Sequence, residues 1–197
     1  MKPNCIAVPE ILLPAPSVDM TAWAVIACDQ HTSDAAYWEE LDRLVGDKPS
    51  TLRLTLPEIY LSETEQRLPQ ISAAMRDYRA RGVFRKMGKG FILTERTTPF
   101  SPMRRGVVLA VDLERYSYEK KSDAMIRATE ATILERIPPR LKIRESAALE
   151  FPHIMLLYDD PGDTVLGPYR DIPLETVYDF DLNMNGGHIR GRFLADT

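Results

Sequence analysis

Tyr37, Trp38, Leu41, Leu44 and Val45 recur three and four positions apart in the stretch from Asp34 to Val45. That spacing predicts an amphipathic helix near residues 34–45, with Gly46 placed to cap its C-terminus. Upstream, Trp23 to Cys28 (WAVIAC) is a short apolar run that reads as a buried strand, followed by a polar turn over Asp29–Ser33. In TLRLTLPEIY, Thr51 to Tyr60, the alternation of Leu52, Leu54 and Leu56 predicts a half-buried strand ended by Pro57. Ser62 and Glu65 have the spacing of a capping box. They open a second helix near residues 63–81, with the stripe Leu68, Ile71, Met75 and Tyr78, a kink at Pro69 and an end at Gly82.

Further along, Phe91–Thr94 and Gly106–Val111 (GVVLAV) read as strands. Ile126–Ile137 reads as a third helix, stopped by Pro138-Pro139, and Ile154–Tyr158 (IMLLY) as another strand. Val177 to Phe193 has the form of a hairpin turning at Asn185-Gly186-Gly187. The fold class expected is therefore α/β in the mixed α+β sense: a mixed sheet of at least five strands with about three main helices. A chain of 197 residues accommodates this in a single domain, residues 1–197.

Composition adds limits. Lys and Arg total 25 against 29 Asp and Glu, a net charge of −4. A domain that binds duplex nucleic acid usually carries the opposite excess, so specific duplex DNA binding is not expected. The N-terminal MKPNCIAVPEILLPAP is broken by Pro9 and Pro14 and has no basic region beyond Lys2, so it does not read as a secretory signal. No apolar run approaches the ~20 residues of a membrane span. The two cysteines, Cys5 and Cys28, form no CxxC pair. A cytoplasmic, non-membrane protein with reduced thiols is the expectation. Charge is uneven: residues 120–144 hold seven basic and three acidic side chains, net +4, and residues 145–183 hold one and nine, net −8.

The segment IRATEATILERIPPRLKIR, Ile126 to Arg144, carries the most chemistry. On a helix, Ile126, Ile133, Leu134 and Ile137 share one face, and Glu130 falls near the middle of it. A lone carboxylate there is costly, so it must be paired, protonated or open onto a cleft. Arg127 flanks the stripe on one side, Thr129 and Arg136 on the other, and Arg140 follows past the prolines. Guanidinium groups suit phosphate because they donate two parallel hydrogen bonds. Two readings stay open: a phosphate clamp of Arg127, Thr129, Arg136 and Arg140 with Glu130 as base or orienting group, or an Arg–Glu network that locks the helix in place. Asp29 and Gln30, just after an apolar run, are candidates for polar substrate contacts. Cys28, Asp29 and His31 stand close together but have no further ligand motif, so no metal site is expected. No GxGxxG, Walker A, HExxH or GxSxG pattern is present.

WAVIACDQHTSDAAYWEEL, STLRLTLPEIYL, the Ile126–Arg144 block, FPHIMLLYDDP and NGGHIRG together resemble a bacterial family of unknown function. It is number one thousand and fifteen in the domain-of-unknown-function series and is often labelled as a ParB-like chromosome-partition protein. The resemblance implies a likeness to the ParB and sulfiredoxin superfamily, whose members bind ATP, ADP or CTP with Mg²⁺ and one branch of which phosphorylates free serine. Family members are roughly twice this length, which implies that the chain is an N-terminal portion and that a downstream C-terminal domain is missing from it. His31 stands where the family's pattern has Tyr.

The functional expectation is the N-terminal part of a nucleotide-dependent phosphotransferase acting on a small hydroxyl or phosphorylated amino acid such as serine. A ParB-like nucleic-acid module and a non-catalytic structural half remain the alternatives. Under the phosphotransferase reading the partner is a small phosphate-bearing molecule.

Overall fold

The computed structural model describes residues 4–26, 31–147, 149–151 and 153–196. Nine strands and four helices are found among them. The strands are β1 (Ile6–Ala7), β2 (Glu10–Pro14), β3 (Phe84–Thr98), β4 (Ser101–Val108), β5 (Ala110–Val111), β6 (Tyr116–Ser117), β7 (Ile126–Arg127), β8 (Glu175–Leu182) and β9 (Gly187–Ala195). The helices are α1 (Met20–Trp23), α2 (Ala35–Val45), α3 (Thr64–Ala80) and α4 (Ile137–Ser146).

The main sheet has five strands in the order β2-β3-β9-β8, with β4 also paired to β3. Every pairing in it is antiparallel. Tight connections impose this on the β3–β4 and β8–β9 pairs, since a hairpin can join only antiparallel neighbours. One hairpin turns between Thr98 and Ser101, the other between Leu182 and Gly187. The parallel pairing among the described residues is the two-residue contact of β6 with β7.

Ile11, Leu13 and Ile92 are buried in the sheet's own core, with Val108, Val177 and Phe193 packed on them. Two further clusters belong to the helices. Trp23, Leu54, Ile71, Met75 and Tyr78 form one, under α3, while Tyr37, Trp38, Leu41 and Val45 form the other, under α2. Tyr37, Trp38, Leu41 and Val45 of the first predicted stripe and Ile71, Met75 and Tyr78 of the second therefore face a core, while Leu44 is exposed. Asp34 caps α2, its carboxylate accepting from the Tyr37 N–H at 3.1 Å, and Gly46 ends it with φ +54°.

Several expectations are corrected. Trp23 ends a short helix instead of opening a strand, because Asp19 caps α1 by accepting from the Thr21 N–H. Of the expected strand Trp23–Cys28, Ala27 and Cys28 lie outside the described residues. Thr51–Leu54 and Glu58–Glu63 are 3-10 turns. Ser50 sets the first: it is fully buried, its Oγ accepts from the Leu52 N–H, and Thr51 Oγ1 is tied to the Trp23 carbonyl at 2.8 Å. The capping box does not form, since Glu63 is the N-cap of α3 and makes no side-chain cap bond; α3 then runs through Pro69 to Ala80.

The largest correction concerns Ile126–Ile137. Only Ile126–Arg127 is regular there, as β7, and a 3-10 turn covers Leu134–Arg136. The helix begins at Ile137, with Pro138 and Pro139 in its first turn. Proline's missing N–H costs nothing at that end, so the pair starts a helix where it was expected to stop one. Ile154–Tyr158 has no strand partner among the described residues and is exposed throughout.

Candidate anion site on the sheet

In antiparallel strands, residues directly opposite one another share a face. One cross-strand row of the main sheet reads Arg105 on β4, Glu95 on β3, Arg190 on β9 and Asp179 on β8. Charge alternates along the row, and Arg190 lies 3.6 Å from Asp179 and 4.0 Å from Glu95. Arg192, two residues on, lies 3.7 Å from Glu95 and donates to the carbonyls of Tyr169, Arg170 and Ile172. It thereby pins the 160–172 loop onto this face. Within the loop, Asp163 accepts from Arg170 at 2.6 Å and lies 3.7 Å from Arg105. Each guanidinium beside this small cleft thus has a carboxylate within 4 Å, and the free space left at its floor is about 10 Å³, room for a single water.

The opposite face is balanced differently. Arg96 on β3 stands directly opposite Arg104 on β4 and Ile189 on β9. Among the described residues neither arginine is ion-paired. The Arg96 guanidinium donates through Nη2 to the Gly186 carbonyl at 3.1 Å, while its Nε is buried and has no partner. Burial first, and then the charge of Arg104, push the Arg96 pKa below its ordinary value. Like charges opposite one another destabilise a sheet, and a half-buried charge without a counter-ion is costlier still. An anion between the two guanidinium groups removes both penalties.

The hairpin tip closes one side of this position. Met184 and Asn185 have left-handed φ of 50° and 60°, and Gly187 has φ 86°. Gly187 is obligatory on steric grounds too, because a Cβ there would fall 2.0 Å from the Thr97 carbonyl oxygen. Asn183 Nδ2 donates to the Thr21 carbonyl at 2.7 Å, which ties the tip to α1, and Asn183 Oδ1 is buried without a partner. Ile26 approaches Gly186 closely enough that a Cβ on Gly186 would lie 3.0 Å from its Cδ1. On β9, Gly191 leaves the space occupied by the ring of Tyr178, whose phenol burial pushes up to about 12.

The residues singled out from the sequence are not gathered in this way. Asp29 and Gln30 lie outside the described residues. Glu130 is exposed, in an irregular segment, and makes no ion pair among the described residues, so the expected shielding by Arg127, Arg136 or Arg140 is absent. Arg127, Thr129 and Arg140 are exposed as well, and Arg136 pairs with Glu58. The cause is the backbone correction: without a helix over Ile126–Ile137, nothing places Glu130 on an apolar face. Arg96 and Arg104 were missed. The signal was in the sequence all the same, as two arginines flanking the turn residues Pro99-Phe100 in TERTTPFSPMRRG.

Fold and surface define an α+β protein built on one antiparallel sheet. The chain belongs to the family described as protein of unknown function (DUF1015), whose profile matches residues 11–196. No curated protein and no solved structure matches it. Among the described residues no helix is long and apolar enough to cross a membrane.

Proposed function

We propose that the protein binds a small phosphate-bearing molecule, with Arg96 and Arg104 holding the phosphate, as the N-terminal part of a nucleotide-dependent phosphotransferase-like protein. The observation that carries this is the uncompensated arginine pair. Arg96, half-buried, and Arg104, exposed, stand directly opposite each other on adjacent strands with no carboxylate paired to either among the described residues, and a dianionic phosphate is the ligand that neutralises both. Phosphoryl transfer requires mainly positioning and charge neutralisation, which such a pair supplies. The resemblance to the ParB and sulfiredoxin superfamily supports ATP, ADP or CTP as nucleotide and serine or a phosphorylated amino acid as substrate. Mg²⁺, which the same resemblance implies, usually binds through the nucleotide's phosphates with one or two carboxylates. Glu130 is exposed, and neither it nor Arg127, Thr129, Arg136 or Arg140 has a part in this proposal.

Thermal unfolding with ATP, ADP, CTP (each with and without Mg²⁺), phosphoserine, inorganic phosphate and duplex DNA tests the proposal. A ligand at about 100 times its Kd adds about 2.7 kcal/mol to stability. At least one phosphate compound should raise the midpoint, and Arg104→Ala should abolish the rise. Stabilisation by DNA alone would favour the partition-type module instead, and a rise that survives Arg104→Ala would remove the arginine pair from the site.

A further inference from the structure

Costs to stability gather at the tip of the β8–β9 hairpin, in Asn183–Asn185. Met184 and Asn185 hold left-handed φ of 50° and 60°, a region that residues with a Cβ enter only at a penalty. Asn183 Oδ1 is buried without a partner, although a buried amide oxygen ordinarily finds a donor. Such costs persist where the surrounding structure imposes them, and they cluster at functional sites.

A run of hydrogen bonds shows what the tip maintains. α1 ends at Trp23, and the last carbonyls of a helix have no partner within it. Asn183 Nδ2 takes two carbonyls at this end, donating to Thr21 at 2.7 Å and to Ala24 at 3.4 Å. Both are acceptors, so the amide presents its two N–H donors to α1 and turns its oxygen away. The Asn183 carbonyl in turn accepts from the Gly186 N–H at 2.9 Å, and the Gly186 carbonyl accepts from Arg96 Nη2 at 3.1 Å. The β8–β9 register ends at the Leu182–Gly187 pair, so this run, and not the strand ladder, sets where the Gly186 carbonyl stands. Met184 adds an anchor on the same side, packing on the cluster under α2.

We propose that Asn183 is a positioning residue for the phosphate site: its side chain fixes the hairpin tip to α1, and the tip holds the Arg96 guanidinium ready for a phosphate shared with Arg104. This role rests on the phosphate reading of the arginine pair. An arginine held in advance gives up less side-chain freedom when the anion arrives, which raises affinity without any added contact. Asparagine suits the task because Nδ2 can serve both carbonyls at once, whereas an aspartate would set a charged oxygen against them.

Two measurements on the whole chain test this. Asn183→Ala removes both bonds to α1, and Asn183→Leu removes them while keeping the volume filled. The first measurement needs no ligand: nuclear magnetic resonance of the arginine side chains reads rotation of each guanidinium about its Cζ–Nε bond. Arg96 should rotate faster in both variants, and Arg104, which makes no bond to the tip among the described residues, should not change. The second is calorimetric titration with inorganic phosphate, at a temperature where urea unfolding shows each variant to be folded. Affinity should fall about tenfold, within the range for coupling inside one hydrogen-bond network. Unchanged rotation of Arg96, or full affinity in a folded variant, overturns the role of Asn183 and leaves the arginine pair standing as the phosphate site. Loss of the fold in both variants makes Asn183 a structural residue and overturns it too. A wild-type chain that binds no phosphate overturns the phosphate reading and this role together.

Discussion

Arg96 and Arg104 stand directly opposite each other on adjacent antiparallel strands, with no carboxylate paired to either among the described residues. In the absence of ligand this arrangement works against the fold. Removing one charge should therefore stabilise the unliganded protein, and Arg104→Gln is predicted to do so by roughly 0.2–1 kcal/mol, the range for a like-charge cross-strand pair. The same substitution should weaken binding of the phosphate ligand. Urea unfolding of the ligand-free protein, beside calorimetric titration with ligand, reads the two effects separately. A variant that loses both stability and affinity would identify Arg104 as a packing residue.

His188 gives a second, pH-dependent prediction. Its Nδ1 lies 2.7 Å from Asp181 and its Nε2 lies 2.6 Å from Asp179, and the hydrogen bond to Asp181, followed by that to Asp179, raises its pKa above the ordinary 6.5. A raised folded-state pKa means that the stabilisation is complete below the unfolded value and is lost as pH rises through the folded one. The urea midpoint should accordingly fall as pH is raised from 6.5 through the folded pKa. His188→Gln should flatten that part of the profile. Because the His188 side chain is 43% open to solvent, the effect should shrink with added salt.

Asp19 titrates at the other end of the scale. Its carboxylate caps α1 and pairs with Lys48 at 2.7 Å. The hydrogen bond from Lys48, followed by that from Thr21, holds its pKa down, from 3.8 to about 2. A depressed carboxylate stabilises above its unfolded pKa and loses that contribution as pH falls through the folded one, here between 3.8 and about 2. Asp19→Ala should cost about 0.5–2 kcal/mol at neutral pH, the usual value of an N-cap, and nothing below both pKa values. Chemical denaturation at pH 7 and at acid pH measures the difference.

Legibility in the sequence followed the strength of the local signal. The helices near 34–45 and 63–81 were readable because Trp38 and Leu41, and Ile71 and Met75, sit at helical spacing and are the residues that fill the two helical cores. The hairpin was readable because Asn185-Gly186-Gly187 demands positive φ and close approach to β3. Short apolar runs were not: Trp23 opens a strand-like run yet ends a helix capped by Asp19, and Thr51–Leu54 alternates like a strand yet forms a 3-10 turn set by Ser50. The helix expected to carry Glu130 is absent for one reason. Its placement assumed that Pro138-Pro139 ends a helix, and proline is equally at home in a first turn. The arginine pair depended on strand register across a turn at Pro99-Phe100, which periodicity alone does not supply.

Gly187 and Gly88 separate two causes of glycine dependence. Both have positive φ, 86° and 91°, and both lie on strands of the main sheet. A Cβ on Gly88 would meet nothing within 4 Å, so Gly88→Ala carries only the backbone penalty, about 1–2 kcal/mol. At Gly187 the same atom would sit 2.0 Å from the Thr97 carbonyl oxygen and 3.0 Å from the Thr98 Cα. Both contacts are to backbone, which cannot rotate away. Gly187→Ala must therefore open the hairpin tip or shift β9 against β3, and should cost more than 4 kcal/mol, the range of substitutions that break a constrained site. The shift would also carry the Gly186 carbonyl away from the Arg96 guanidinium, 3.1 Å from it in the native fold. Phosphate binding should thus fall in Gly187→Ala even at temperatures where the variant is folded, while Gly88→Ala retains it. Equal destabilisation of the two variants in urea would show that φ alone, and not contact with β3, keeps glycine at the tip.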